Sequence, residues 1–357
     1  VTNTKTDQRS RPRLSARARR WFADHAHAAY VIRRLGRYVL TLWGALTVAF
    51  IFFRLIPGDP VSTYLASLEQ SHVHNAEEAQ RIVDHYRELF GLNDSLFDQY
   101  IAYLRQLLVS HDLGPALIDF PTPSQIVILR ALPWTIGLLG LSTVFSWILG
   151  TVLGVIVGWR RESRIADAVT SVALALSRIP YYLVALMLVY FFAFRLAWFP
   201  PMSAYAPSIE RAFTVEFLVS VVKHGTLPAL SIVMISVCNW LIITRTMVIT
   251  TLGEDYLVFA EAKGLSERRV AVHYVLRNCW LPLITAFGIR LGSIFNGSVL
   301  VERLFMYPGL GNLLVQSLLM LDYNTLQGIV ALSIFGVLTA NAAIDLLLPI
   351  LDPRVKY

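Results

Sequence analysis

The sequence predicts an all-α integral membrane protein with six transmembrane helices, and three observations carry that prediction. Hydrophobic residues make up 55% of the 357 and charged residues only 15%, where a soluble domain has about a quarter charged. The apolar residues are gathered into stretches of roughly 20, the length of helix that crosses a hydrocarbon core of about 30 Å. Those stretches are continuously apolar instead of alternating, which argues for helices over a barrel.

The spans are expected at Tyr38–Ile56, Trp134–Gly158, Ala168–Leu196, Gly225–Ile249, Leu281–Val301 and Leu326–Ile350. The third is longer than an untilted crossing needs. Basic residues set the orientation. Residues 1–37 hold nine arginines and Lys5 against two aspartates, and "WRRESRIAD" after the second span adds three arginines. Residues 57–132 carry ten acidic and four basic side chains. Both termini and the segment 254–283 are therefore expected in the cytoplasm, with the acidic insert outside. The resulting division is a basic tail (1–34), a first span (35–57), an extracytoplasmic helical insert (58–132), a five-helix core (133–350) containing a cytoplasmic loop (253–280), and a short C-terminus (351–357).

The tail "RSRPRLSARARRWF" reads as a polybasic stretch that enforces orientation beside anionic lipid. Val1 in place of methionine points to an alternative start codon, and no small-residue cleavage pattern marks a signal peptide. Cys238 lies in an apolar run and Cys279 in the charged segment, so no disulfide framework is expected and free thiols suit a reducing cytosol. In the insert, Phe97, Tyr100, Ile101, Leu104, Leu107 and Leu108 follow helical spacing, as do Ile82, Val83, Tyr86, Leu89 and Phe90 ahead of a C-capping Gly91. These helices are expected to form a small cap on the outer face. His72, His74 and His85 lie near Glu77 and Glu78, but without the tight repeated spacing of a metal site, so a solvated loop and no metal site are expected.

The segment "EDYLVFAEAKGLSERRVAVHYVLRNCWLPL" (254–283) places four acidic and four basic residues between two apolar runs. Asp255 to Lys263 are good helix formers, and Gly264 can end the helix in a left-handed conformation without a Cβ penalty. Ser266 can cap a second helix whose first residue, Glu267, suits the positive end of the helix dipole. That helix is expected to run toward Pro282, near the start of span five. A helix, a glycine elbow and a second helix make a rigid docking surface for a cytoplasmic partner.

This segment resembles the cytoplasmic coupling loop of permease subunits in ATP-binding-cassette importers, closest to the peptide and nickel group and to its B-type dipeptide and oligopeptide permeases. "IPGDP" (56–60), "FGL" (90–92), "QY" (99–100), "DLG" (112–114), "ERLFMYPGLGNLLVQSLLMLDYNTLQG" (302–328) and "LDPRVKY" follow in the order of that family, over about residues 35–357. The resemblance implies the six-helix type I importer fold. It also implies a second, homologous permease subunit, two ABC ATPase subunits and an extracytoplasmic substrate-binding protein as partners in the lipid membrane, with no nucleic acid. ATP and Mg would be bound by the ATPases, since this chain lacks a G-x-x-x-x-G-K-[ST] loop; no cofactor and no catalytic residue are expected here. Coupling to the ATPase would rest on Asp255, Tyr256, Ala260, Glu261, Ala262, Lys263, Gly264, Leu265 and Arg268. Six positions before Gly264, where the general importer motif has glutamate, this sequence has Val258.

For the pathway or its gate, the candidates are Arg178, Pro180, Tyr181, Asn296, Pro308, Gly309 and Gly311. A charge at the depth of Arg178 costs about 2.5–3.5 kcal/mol on insertion scales, so it must face protein or a wet cavity. It either lines the pathway and attracts a peptide carboxylate, or pairs with a helix terminus or with carbonyls near the Pro180 kink. Arg290, Asn296, Asn341 and Asp345 are expected to hydrogen-bond between helices. "MYPGLGN" (306–312) is expected as a tight outer turn, either part of the outer gate or of the docking floor for a binding protein, or a plain loop. An intramembrane enzyme would need a catalytic grouping, and an ion-coupled transporter would need inverted repeats and midplane carboxylates; neither is visible. The cargo is expected to be di- or oligopeptides, with nickel chelates or another small solute as the alternative within the same family.

Overall fold

The computed structural model describes residues 26–55 and 94–351. The basic tail, "IPGDP", the helix expected before Gly91, His72, His74, His85, Glu77 and Glu78, and residues 352–357 lie outside the described residues. Among those described, five helices are long and apolar enough to cross a bilayer: α1 (Ala26–Arg54), α3 (Ser124–Trp159), α6 (Val215–Leu252), α9 (Ala271–Phe295) and α12 (Tyr323–Leu351). The pair α4 (Arg164–Ser177) and α5 (Tyr181–Arg195) counts as a sixth crossing when taken together. Five shorter helices complete the set, namely α2 (Leu96–Arg105), α7 (Asp255–Ala262), α8 (Glu267–Val270), α10 (Val299–Leu304) and α11 (Leu310–Leu319).

Three expectations about the spans need correction. The third is not one helix over Ala168–Leu196, because the chain bends by 92° between α4 and α5. Pro180 has no N–H to continue the ladder and pushes Ile179 out of the helical region; it sits instead at the N-cap of α5, with ψ 131°. The fifth does not begin near Pro282. Helix runs from Glu267 through a π-helical turn at Ala271–Leu276 and past Pro282, so the second helix of the charged segment is the stem of the span itself. Nor does span five reach Val301, since Gly297 takes φ +69° and breaks it.

The tightest contact in the bundle joins α3 to α6. Gly150, Gly154 and Gly158 recur every fourth residue on α3 and lie against Trp240, Thr244 and Val248. A Cβ at Gly154 would come 2.6 Å from Thr244 Cβ. Small residues at this spacing let two backbones approach in a solvent that supplies no hydrophobic drive between helices.

At the edge of the bundle, α1 is held mainly by α12. Arg34 pairs with the carboxylate of Asp345, Tyr30 Oη donates to the Asp345 carbonyl at 2.9 Å, and Tyr38 meets Thr339 at 2.9 Å. Asp345 thus does bond between helices. The helix α2 forms as expected and packs on α1. Its Tyr103 stacks on Phe50 of α1 at 5.5 Å, and Tyr100 Oη meets Thr47 at 2.7 Å. Phe97 and Ile101 point outward, an arrangement that suits a helix bordered by lipid.

Candidate functional site

Two regions concentrate features that packing alone does not require. The first is the short helix α7 with its elbow. Leu257 and Ala260 are buried, at 1% and 4% exposed, in a cluster with Trp240, Val248, Val270, Val275, Cys279 and Leu283. Gly264 adopts φ +74°, and the Leu265 N–H reaches back to the Ala260 carbonyl at 3.4 Å, the six-to-one closure of a Schellman motif. Leu265 packs against the same cluster. Asn278 Nδ2 donates to Tyr256 Oη at 2.8 Å and to the Tyr274 carbonyl at 2.8 Å, which ties α7 to the stem of α9. The elbow is therefore clamped to spans four and five together.

Facing outward are Asp255, Tyr256, Phe259, Ala262, Lys263 and Gly264, with Phe259 70% exposed. Ala260, expected among the partner-facing residues, is instead buried inside this chain, turned inward by the period of the helix, and Leu265, beyond the Gly264 turn, is half-buried. The side chains of Glu261 and Arg268 lie outside the described residues. Phe259 was not among the sequence candidates, although an apolar aromatic in so polar a segment was available as a signal.

The second region is a cavity of about 480 Å³ bounded by the α4–α5 bend, α6 and α9. Arg178, Pro180 and Tyr181 all line it, with Ser177, Ser236, Asn239, Trp240, Ser293 and Arg290. Arg178 caps the C-terminus of α4, where a cation complements the dipole. Its guanidinium makes no hydrogen bond or ion pair among the described residues, so of the two alternatives to a pathway role the helix terminus is the one its position matches. Arg290, expected to bond between helices, does not do so either, and faces the same space. Among the described residues, no carboxylate lines the cavity. The Asn296 side chain is outside the described residues. A separate cleft of about 420 Å³ against α1, α11 and α12 is apolar apart from Ser333.

Pro308, Gly309 and Gly311 lie apart from this cavity. Gly309 and Gly311 close around the buried carboxylate of Glu302. Thr135 Oγ1 donates to Glu302 Oε1 at 3.0 Å, and the N–H groups of Gly311 and Asn312 donate to Oε2 at 2.7 and 3.2 Å. The Ser298 N–H adds a longer bond of 3.4 Å, and the Leu310 N–H donates to Thr135 Oγ1 at 2.7 Å. Glu302 thus satisfies the free N–H groups at the start of α11. Only glycine fits at 309 and 311, since a Cβ at Gly311 would lie 2.8 Å from Val299 Cα. Burial pushes the Glu302 carboxyl above the ordinary carboxylate range, against the pull of its four donors. Asp322 repeats the device before α12, accepting from Thr325 Oγ1 at 2.7 Å, Thr325 N–H at 3.1 Å and Ile118 N–H at 3.3 Å. Burial raises its pKa too.

Residues 150–357 match the family model described as binding-protein-dependent transport system inner membrane component. The chain is 31% identical over 330 residues to the oligopeptide transport system permease protein AppB of Bacillus subtilis (strain 168), covering 92% of this chain and 100% of that one. It is 30% identical over 345 residues to the di/tripeptide transport system permease protein DppB of Pseudomonas aeruginosa (strain UCBPP-PA14), covering 92% and 99%. The glutathione transport system permease protein GsiC of Escherichia coli (strain K12) is 29% identical over 331 residues, covering 92% and 99%.

Proposed function

The chain belongs to the family of binding-protein-dependent transport system inner membrane components, and from that premise we propose that it is the permease subunit of an ATP-driven importer of peptides. It is a multi-pass inner-membrane protein and a non-catalytic transport subunit. The three relatives are named for oligopeptides, di- and tripeptides, and glutathione, which supports peptides as the cargo class. The observation that carries the coupling role is the clamped elbow, in which α7 is fixed to spans four and five while presenting Tyr256, Phe259 and Lys263 outward.

In this reading both termini and α7 face the cytoplasm. A second, homologous permease completes the pathway, two ABC ATPases bind below and hold ATP and Mg²⁺, and a binding protein delivers cargo from outside. Closure of the ATPases draws the elbows of the two permeases together, and the attached spans rock the cavity from one face to the other. Asp255, Tyr256, Glu261, Ala262, Lys263, Gly264 and Arg268 form or flank the gripped surface, with Ala260 and Leu265 seating it from within. Arg178, Pro180 and Tyr181 belong to the passage.

Single cysteines at Phe259 and Lys263 test the coupling role. In the purified complex both are expected to crosslink to an ATPase subunit and to be labelled only by reagents that reach the cytoplasmic side. Labelling from the exterior, or crosslinks that reach no ATPase, would overturn this account.

A further inference from the structure

We propose that Arg178 and Arg290 together form a carboxylate-reading station in the passage, recognising the free C-terminal carboxylate of the peptide being carried. This deepens the peptide-permease reading and rests on it. Two guanidinium groups line one cavity of about 480 Å³, and no acidic side chain lines it with them. Arg34 and Arg245 of the helical bundle pair with acids of this chain, Asp345 and, at 3.6 Å, Asp167. Arg178 and Arg290 have no such pair among the described residues, and they come from elements far apart in sequence that the fold brings to one space.

The lining chemistry suits a zwitterionic chain. Guanidinium presents a planar fork that matches a carboxylate with two parallel hydrogen bonds. Around it stand the neutral donors and acceptors Ser177, Ser236, Asn239 and Ser293, able to meet amide groups without adding charge. Arg178 is also held in place by the backbone, because the 92° bend at Pro180 fixes the end of α4 against the cavity wall. A station of this kind would favour free peptides over C-terminal amides whatever their side chains.

Two measurements on the purified four-component complex, reconstituted in zwitterionic phosphatidylcholine vesicles that supply no anionic headgroup, test the proposal. In the first, ATP-driven uptake of trialanine and of trialanine amide is compared between wild type and the double variant Arg178→Gln, Arg290→Gln. The binding protein is identical in both, so its own preference cancels in the comparison. Loss of a charge-assisted bond predicts that the variant loses about tenfold or more in trialanine uptake, relative to any loss for the amide. In the second, phenylglyoxal labelling of the two arginines is followed by mass spectrometry in the complex without binding protein. Trialanine is expected to slow labelling several-fold and the amide to leave it unchanged.

Equal losses for both probes, or equal protection by both, overturn the proposal. So does a variant that no longer co-purifies with the second permease while wild-type Arg178 and Arg290 resist labelling in the absence of peptide, because the arginines would then be paired across the permease interface. Failure of the wild-type complex to take up either probe overturns the peptide reading itself, and this inference with it.

Discussion

Thr135 on the second span donates its hydroxyl to Glu302, 167 positions later in the chain, at 3.0 Å, and accepts the Leu310 N–H at 2.7 Å through the same oxygen. One side chain thereby joins span two, the buried acid and the first turn of α11. Replacing Glu302 with alanine leaves the N–H groups of Gly311 and Asn312 and the Thr135 hydroxyl without their acceptor in a buried place. A loss of about 3–5 kcal/mol is expected, read as a large fall in the thermal unfolding midpoint of the detergent-purified complex. Thr135→Val removes one donor and one acceptor, for a loss of about 1–3 kcal/mol. A midpoint unchanged by Glu302→Ala would show that the anchor contributes nothing.

The same carboxyls set a pH dependence of unusual sign. Burial raises the pKa values of Glu302 and Asp322 in the folded chain above their unfolded values. Between the two values the native state binds more protons than the unfolded state, so stability falls as pH rises through that window. The window opens at the ordinary carboxylate range, about 3.9 for Asp and 4.3 for Glu. Wild type minus Asp322→Asn stability is therefore expected to decline from acid toward neutral pH in thermal unfolding scans. A difference that grows toward neutral pH would contradict the burial argument.

At the α3–α6 contact, Gly154→Val is expected to force the two helices apart, because its Cβ has only 2.6 Å to Thr244 Cβ and 2.7 Å to the Leu241 carbonyl. The result to look for is loss of the assembled complex on size-exclusion chromatography. Gly44→Ala is the matched control, since nothing lies within 4 Å of its added methyl. Its higher helix propensity leaves stability level or raised by about 0.5–1 kcal/mol.

At the elbow the penalty is conformational only. Gly264 has φ +74° and open space around its α-carbon, so a side chain is disfavoured by the backbone and not by crowding. A β-branched valine is expected to cost about 1–2 kcal/mol, to displace the lever, and to lower transport more than ATP turnover in reconstituted vesicles. Asparagine, which tolerates the left-handed region, should keep most of the activity. Wild-type coupling in Gly264→Val would mean that the elbow can relax freely.

The ion pair of Arg34 with Asp345 is about a third exposed, with side chains at 28% and 35%, and solvent screening holds such pairs to about 0–1 kcal/mol. Arg34→Gln is therefore expected to shift the unfolding midpoint slightly, and more at low salt than at high. The exchange Arg34→Asp with Asp345→Arg should restore it. A loss of several kcal/mol would mean that α1 depends on this pair and not on its apolar contacts with α12.

Much of this was legible in the residues because composition and periodicity are local. The spans, the helix at α2, the left-handed Gly264 and the wetness of Arg178 all follow from stretches of a few to twenty residues. The 92° bend was signalled by Pro180, but a proline inside an apolar run is as compatible with a kinked helix as with a broken one; Pro133 and Pro228 stay inside theirs. The bonds of Glu302, the contact of Gly154 with Thr244 and the shared cavity of Arg178 and Arg290 bring together residues far apart in the chain, and no local rule encodes such neighbourhoods. Gly150, Gly154 and Gly158 did carry a readable spacing. The turn at Gly309 and Gly311 is legible from its residues, but the Glu302 carboxylate that fills it is not.

Trp240 belongs to two neighbourhoods at once, forming part of the wall of the arginine cavity and part of the cluster that seats Leu257 and Ala260. It sits on α6, whose 38 residues run unbroken to the start of the elbow. At 1.5 Å per residue, the stretch from Asn239 to Leu252 is a stiff pushrod of about 20 Å. A tilt of about ten degrees at its lower end moves the cavity wall by about 3–4 Å, without any relay of side-chain rearrangements. Under the proposed function, force and passage would be geared through one backbone, and what the cargo feels would be the angle of a single helix.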